Sequence, residues 1–386
     1  FASIVRLYFL NIAKNQTHWW DSLAYGGIAK NMIYHTWDSS RYVVNEAVIR
    51  PPLIPYLWSL LLRLNASDGV SLFFLEILPS VASVFVLFLI VKELYGKRAA
   101  YLASLLFSVA WIHIFYSVRV LTDVPSLFFA LVSIYFFVKS YDKLDTKEFS
   151  LAIFFLIIAF LTRYVYAILG IIYLIFIIFH HRQKLFFKKK FYIGGFLGAI
   201  PLIIFFIVNL ISKGNIMPAA AVYSAGAENV PFAYHAINLI PHIMRPSWLL
   251  VPLLILGGGL ALLTVVIGFN RITKIKVLQA HTFNLFLFAG AIIYFIFFLR
   301  AAEDRYLLFV FLPLLSFTSL GILYVSDLIK KHSKIIAAIF LLLVILIAAH
   351  GQLKFADQII KARVNSFREM KEAFLWVNEN TPEDAV

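Results

Sequence analysis

The stretch SLFFLEILPSVASVFVLFLIV, residues 71–91, is apolar over the length a helix needs to cross a bilayer, about 20 residues. Lys92, Lys97 and Arg98 follow it directly. This pairing of an apolar run with a basic loop decides the fold class, because it recurs along the chain. Comparable runs cover roughly 99–117, 124–139, 149–162, 164–180, 191–212, 248–268, 281–299, 305–325 and 335–350, which makes ten predicted spans. Residues Phe1 to Leu10 read as the outer end of a further, truncated span. The two runs between 149 and 180 are short and fit either two tilted helices or one broken helix.

The loops test the count. The connections at 92–98, 139–147, 180–190, 269–276 and 326–334 carry 17 basic residues, against 5 in the alternate set at 118–123, 163, 212–247 and 300–304. Lys and Arg gather on the cytoplasmic side of membrane proteins. The alternation therefore places residues 7–70 and the C-terminal tail outside. The chain has 386 residues, of which 62% are hydrophobic and only 14% charged, with 39 Phe. A soluble core cannot hide that much apolar surface. With no cysteine in the chain, disulfides, thiolate metal sites and Cys nucleophiles are excluded. The formal charge of +14 reads as topology rather than nucleic-acid binding, since no RNA or DNA motif accompanies it. The expectation is an all-α polytopic membrane protein.

The segment 11–70 is too polar to span and too aromatic to be a tether. Residues Ser22 to Met32 predict a short helix with Leu23, Gly27, Ile28 and Met32 near one face, and with Asp21 or Ser22 as its N-cap. A second helix is predicted from Leu53 to Leu64, after Pro51-Pro52. Both read as helices lying in the interface, with Trp19, Trp20, Trp37, Tyr56 and Trp58 at headgroup depth. After Ala349 the pattern turns amphipathic.

Several residues on this predicted outer side can carry chemistry. Asp21, in Trp19-Trp20-Asp21, is either a helix cap or a general base or metal ligand. Flanking tryptophans would desolvate it and raise its pKa, which suits a base. Arg50 precedes a rigid Pro51-Pro52 entry and is either a snorkelling headgroup contact or a fork for phosphate oxygens. Arg119 and Asp123 lie between two spans at i,i+4 spacing, which permits a local salt bridge. Arg163 and Tyr164 make a similar break, and Glu303-Asp304-Arg305-Tyr306 forms a tight charged turn. His18, His113, His235 and His242 lie on or near the same side without metal-ligand spacing. A nucleophile elbow and a phosphate-cradling glycine loop are absent from the sequence. Gly257-Gly258-Gly259, inside a predicted span, reads as a site of close helix packing.

Taken in order, these features form a pattern. An outer Asp and a short helix are followed by a basic residue before Pro-Pro and by Leu94-Tyr95-Gly96-Lys97-Arg98. Then come Leu121-Thr122-Asp123-Val124-Pro125, Leu161-Thr162-Arg163 and Arg305-Tyr306-Leu307-Leu308. The pattern resembles the GT-C glycosyltransferases, closest to the group containing the dolichyl-phosphate-mannose protein mannosyltransferases and the lipid A aminoarabinose transferases. The resemblance implies a GT-C helical bundle over residues 1–350, with interfacial helices in the first outer loop. Residues 351–386 would begin a C-terminal outer soluble domain, with Phe374-Leu375-Trp376-Val377-Asn378-Glu379-Asn380-Thr381-Pro382 as its start.

The same resemblance implies Asp21 as the catalytic acid–base residue, Asp123 as a second outer acid and Arg50 beside the lipid phosphate. Arg50 stands where many members have Lys, and Ser22 stands where many have a second acid. Metal dependence varies across the superfamily, so a divalent metal is left open and no other cofactor is expected. The expected activity is transfer of a sugar from a polyprenyl-phosphate donor to a hydroxyl of a protein, glycan or lipid, outside a multi-pass cell-membrane protein, with inversion. Arg119, Arg163 and Arg305 would assist Arg50, and Trp20, Tyr25, Glu303 and Tyr306 would contact substrate. Membrane lipids are the remaining partners. The rival readings are a flippase or transporter of lipid-linked sugars and a non-catalytic subunit of a glycosylation complex.

Overall fold

The computed structural model describes residues 1–14, 16, 20–34, 49–182, 188–219, 245–294 and 304–382. Among them every regular element is a helix. A long apolar segment in lipid has no water to satisfy its peptide groups, so it satisfies them internally as a helix. The elements are α1 (Ala2–Ala13), α2 (Trp20–Tyr34), α3 (Leu53–Arg63), α4 (Asp68–Leu72), α5 (Leu78–Tyr95), α6 (Lys97–Val109), α7 (Trp111–Ser117) and α8 (Asp123–Ser140). Then follow α9 (Thr146–Thr162), α10 (Ala167–His181), α11 (Lys189–Lys213), α12 (Leu250–Ile267), α13 (Lys276–Tyr294), α14 (Phe311–Lys330), α15 (Lys334–Arg363) and α16 (Arg368–Asn380). A π-helical turn, Phe73–Ile77, joins α4 to α5, so Asp68–Tyr95 is one continuous span.

The all-α polytopic expectation is borne out. Eight helices among the described residues are long and apolar enough to cross a membrane, or nine if a bent pair counts as one. The predicted span 99–117 is that pair: α6 and α7 meet at Ala110 with a 54° bend. The predicted span 149–162 is α9, whose 17 residues reach about 25 Å at ~1.5 Å per residue, at the short end of the range for a span. The runs at 149–162 and 164–180 are two helices, parted at Arg163, whose extended backbone (φ −158°) ends α9. Helix α15 runs through residue 350 without a break.

Two interior features hold the bundle in register. Arg6 of α1 is completely buried. Its Nε donates to Ser80 Oγ at 3.0 Å, its Nη2 to His113 Nδ1 at 2.8 Å, and its Nη1 to the Ser108 carbonyl. One guanidinium thus ties α1 to α5, α6 and α7, and a buried charge is tolerable only when its donors are so engaged. His113 is stacked on Phe107 in the core, not at the bundle mouth. The second feature is the crossing of α12 and α14. A Cβ on Gly257 would collide with the Phe317 carbonyl, and one on Gly321 with the Leu253 carbonyl. Only hydrogen fits on either side, as in small-residue membrane crossings. Within the run, Gly257 makes this contact, whereas Gly259 meets nothing within 4 Å.

A small separate core supports the first-loop helices. Tyr25 and Ala29 of α2, Trp58 of α3, Leu72, Leu75 and Val120 bury one another. One expectation changes here. The face that α2 buries holds Ser22, Tyr25, Ile28 and Ala29, while Leu23 is 54% exposed, because Tyr25 and Ala29 share a core with Trp58. Trp58 itself is buried at 3%. Trp19 and Trp37 lie outside the described residues, as does the Trp20 side chain.

The glycine crossing yields a paired test. Gly257→Val should destabilise the protein by about 1–3 kcal/mol through overpacking, while Gly259→Val should leave it near wild type. Thermal unfolding midpoints of the two variants in the same detergent check this.

Candidate active site

Helix α2 begins at Trp20, so Asp21 and Ser22 lie inside its first turn rather than capping it. The turn is anchored by Ser22 Oγ, which donates to the Val120 carbonyl at 2.6 Å. That bond aims Asp21 at the end of the bundle where three other segments arrive. The Pro51-Pro52 entry to α3 brings Arg50, the break between α9 and α10 brings Arg163, and the 3-10 turn Asp304–Val310 brings Arg305 and Tyr306. Asp123 opens α8, with Thr122 before it.

These side chains form an alternating row of charges. Asp21 Oδ1 lies 2.7 Å from Arg50 Nη1, and Asp21 Oδ2 lies 2.5 Å from Arg305 Nη1. The same Arg305 nitrogen is 3.9 Å from Asp123 Oδ2, and Asp123 Oδ1 is 2.6 Å from Arg163 Nη1. The order is therefore Arg50, Asp21, Arg305, Asp123, Arg163, three cations separated by two anions. Side-chain exposure falls from 25% at Asp21 to 1% at Asp123. Neither Asp123 oxygen accepts an aligned hydrogen bond among the described residues. Arg163 Nη1 instead donates to Thr122 Oγ1 at 3.3 Å, so charge is what joins Arg163 to Asp123. Aromatic faces flank the row: the Arg50 guanidinium lies 5.1 Å from the Tyr25 ring centre, and those of Arg163 and Arg305 lie 4.8 and 5.7 Å from that of Tyr306.

The electrostatics reverse one expectation. Burial pushes the Asp21 carboxyl up, but the charges of Arg305 and then Arg50, with their hydrogen bonds, outweigh it and hold it down at about 2. The tryptophan argument for a raised value misses these two guanidiniums, which come from far along the chain. Because the folded value lies below the ordinary 3.8, the stabilisation is complete above that value and is lost as pH falls through about 2.

Beside Arg50, a cavity of about 260 Å³ opens between α2, the start of α3 and the end of α11, lined by Ile28, Met32, Pro51, Pro52, Tyr164, Phe205 and Lys213 among others. Its wall is mostly apolar, with cations at its edge.

The structure thus brings together Asp21, Asp123, Arg50, Arg163, Arg305, Tyr25 and Tyr306. It does not add Arg119 to them. The i,i+4 pairing of Arg119 with Asp123 is replaced by the long-range pair with Arg163. Arg119 Nη1 instead donates to the Phe115 carbonyl at 2.5 Å, and its guanidinium lies 3.7 Å from the Phe115 ring centre. Glu303 and the Trp20 side chain lie outside the described residues, as do His18, His235 and His242. Among the described residues no three of His, Asp and Glu gather as metal ligands, and both acids face guanidiniums. Sequence reading offers Ser22 only as a cap and gives Thr122 no role, yet Ser22 Oγ holds the Val120 carbonyl and Thr122 Oγ1 accepts from Arg163. A lone hydroxyl gives no signal until its distant partner is placed.

The gradient of burial makes a stability prediction. Arg163→Met strands a buried Asp123 carboxylate and should cost about 3–5 kcal/mol. Arg50→Met leaves Asp21 partly exposed and still paired with Arg305, and should cost about 1 kcal/mol. Chemical denaturation of both variants at neutral pH distinguishes the two costs.

Comparison with known proteins now has a geometry to explain. Residues 49–210 match the family of dolichyl-phosphate-mannose-protein mannosyltransferases. No curated protein sequence matches the chain. Among solved structures, ArnT from Cupriavidus metallidurans bound to undecaprenyl phosphate superposes with TM-score 0.69 at 10% identity, covering 99% of this chain and 80% of that one. The Archaeoglobus fulgidus oligosaccharyltransferase superposes with TM-score 0.63 at 15% identity, covering 99% of this chain and 58% of that one. AglB from the same organism, in complex with an inhibitory peptide and a dolichol-phosphate, superposes with TM-score 0.59 at 13% identity, covering 99% and 57%. The resemblance read from the sequence is borne out: residues 49–210 carry the mannosyltransferase family match, and the chain has the GT-C fold shared by ArnT and the oligosaccharyltransferase.

Proposed function

We propose that this chain is an integral-membrane glycosyltransferase that moves a sugar from a polyprenyl-phosphate donor to an acceptor hydroxyl on the extracytoplasmic face, with inversion. The observation that carries the reading is the alternating charge row centred on Asp21, set beside the Arg50 cavity. Two proteins of the same fold are known with undecaprenyl phosphate and dolichol-phosphate bound, which supports a polyprenyl phosphate as donor carrier.

The chemistry follows from charge. The donor is a phosphodiester with one negative charge. As the acceptor oxygen bonds to the anomeric carbon, the bond from that carbon to the phosphate oxygen breaks. The departing polyprenyl phosphate then carries a second negative charge. Arg50 and Arg305 stand where that charge develops, and fixed cations stabilise a transition state most where charge grows. Direct attack from the face opposite the phosphate inverts the anomeric centre.

Asp21 takes the proton that the acceptor hydroxyl loses. At about 2 its carboxylate is a feeble base, and its two guanidinium partners are the reason. Donor phosphate competes for those partners. Once Arg50 and Arg305 turn to phosphate, Asp21 loses both counter-charges and gains an anionic neighbour, and each change raises its basicity. Substrate binding therefore switches the base on. Asp123, pinned by Arg163, keeps Arg305 near Asp21, and Tyr25 and Tyr306 fix the guanidinium planes. The apolar cavity wall takes the first part of the polyprenyl tail. Trp20 and Glu303 remain assigned to substrate by their sequence positions.

Sugar transfer from labelled polyprenyl-phosphate donors, by the full chain in nanodiscs, tests the reading. Asp21→Asn should lower turnover by about 10²–10⁴-fold while dolichyl phosphate still binds. Arg50→Ala should weaken dolichyl phosphate binding. Undiminished turnover in Asp21→Asn removes it as the base. Tight binding of dolichyl phosphate without transfer from any donor points to a flippase or an accessory subunit.

A further inference from the structure

The charge row has a support that lies deeper in the bundle. Glu76 sits in the π-helical turn Phe73–Ile77 and is completely buried. Its Oε1 accepts a hydrogen bond from the Leu121 backbone N–H at 2.7 Å. Its Oε2 has no hydrogen-bond partner among the described residues. A carboxyl group inside a membrane bundle is rare and costly, and it marks a functional position by default. π-Helical turns are also frequent at functional sites, because the wider turn re-aims a side chain relative to the helix that follows.

What Glu76 grips is the short segment that ends at Asp123. The carbonyls of that segment are held from the first loop: Gln16 donates to Val118 O, and Ser22 to Val120 O at 2.6 Å. Between them and Asp123, the Leu121 N–H points the other way, toward the bundle, and Glu76 receives it. Thr122 and Asp123 follow at once, meeting Arg163 at 3.3 and 2.6 Å. The segment is thus stretched between the first loop on one side and the bundle on the other.

We infer that Glu76 is a positioning residue that fixes the Thr122–Asp123 corner, and through it Arg163 and Arg305, by accepting the Leu121 N–H. This rests on the reading that Asp123 serves the donor site. The role belongs to the acceptor oxygen rather than to the charge, so a glutamine, which offers the same oxygen, should serve in its place.

The test compares Glu76→Ala, Glu76→Gln and Asp123→Asn in the full chain in nanodiscs, with dolichyl-phosphate mannose as the donor probe and amide hydrogen exchange at Leu121 as a second readout. In Glu76→Ala, kcat should fall by about 10-fold or more with the donor KM within about 3-fold of wild type. Leu121 should exchange faster. Glu76→Gln should restore both to within about 3-fold of wild type. Adding Glu76→Ala to Asp123→Asn should cost less than about 3-fold more, because the two act as one unit. Unchanged Leu121 exchange in Glu76→Ala, or a Glu76→Gln variant as impaired as Glu76→Ala, overturns the inference. Normal turnover in Asp123→Asn sinks the role given to Asp123, while Leu121 exchange still decides whether Glu76 holds the corner.

Discussion

Five charged side chains share one mouth of an apolar bundle, and the rest of the architecture answers to that constraint. Like charges drawn into a poorly solvated place repel strongly unless opposite charges separate them. Arg50, Arg305 and Arg163 are separated by Asp21 and Asp123 at distances of 2.5–3.9 Å. Each carboxylate serves two guanidiniums, so no member can leave without exposing a neighbour.

The scaffolding around the row can be read as the means of keeping it in place. Asp21 rides on α2, which is docked through Tyr25 and Ala29 onto Trp58 and through Ser22 onto Val120. Arg163 occupies the extended break that ends α9. Arg305 enters on a 3-10 turn directly before α14, and α14 is locked to α12 by the Gly257 and Gly321 crossing. The Arg6 cluster closes the bundle at α6 and α7, whose bend leads the chain into the segment ending at Asp123.

A good part of this was legible from residue order. Apolar run lengths and the alternation of basic loops placed most spans, because lipid forces a helix wherever a segment is long and apolar. The first-loop helices were legible too, the second almost to the residue. The errors have physical causes. The span at 99–117 reads as one straight helix because an apolar run carries no sign of the 54° bend that α6 and α7 make at Ala110. The buried face of α2 was misjudged because Leu23 is the more apolar residue in a list, whereas Tyr25 is the one that shares a core with Trp58.

The sequence by itself determined the all-α membrane class, the break at Arg163 and the set of charged residues near one end. Composition and run length carry that information, and both are local. The tertiary structure alone decided the partners. It paired Asp123 with Arg163 rather than with nearby Arg119. It turned the Asp21 carboxyl from a raised acid into one held down by guanidiniums 29 and 284 residues away. Electrostatic energy depends on distance in space, and a chain that crosses the membrane repeatedly brings to one mouth residues that lie hundreds of positions apart.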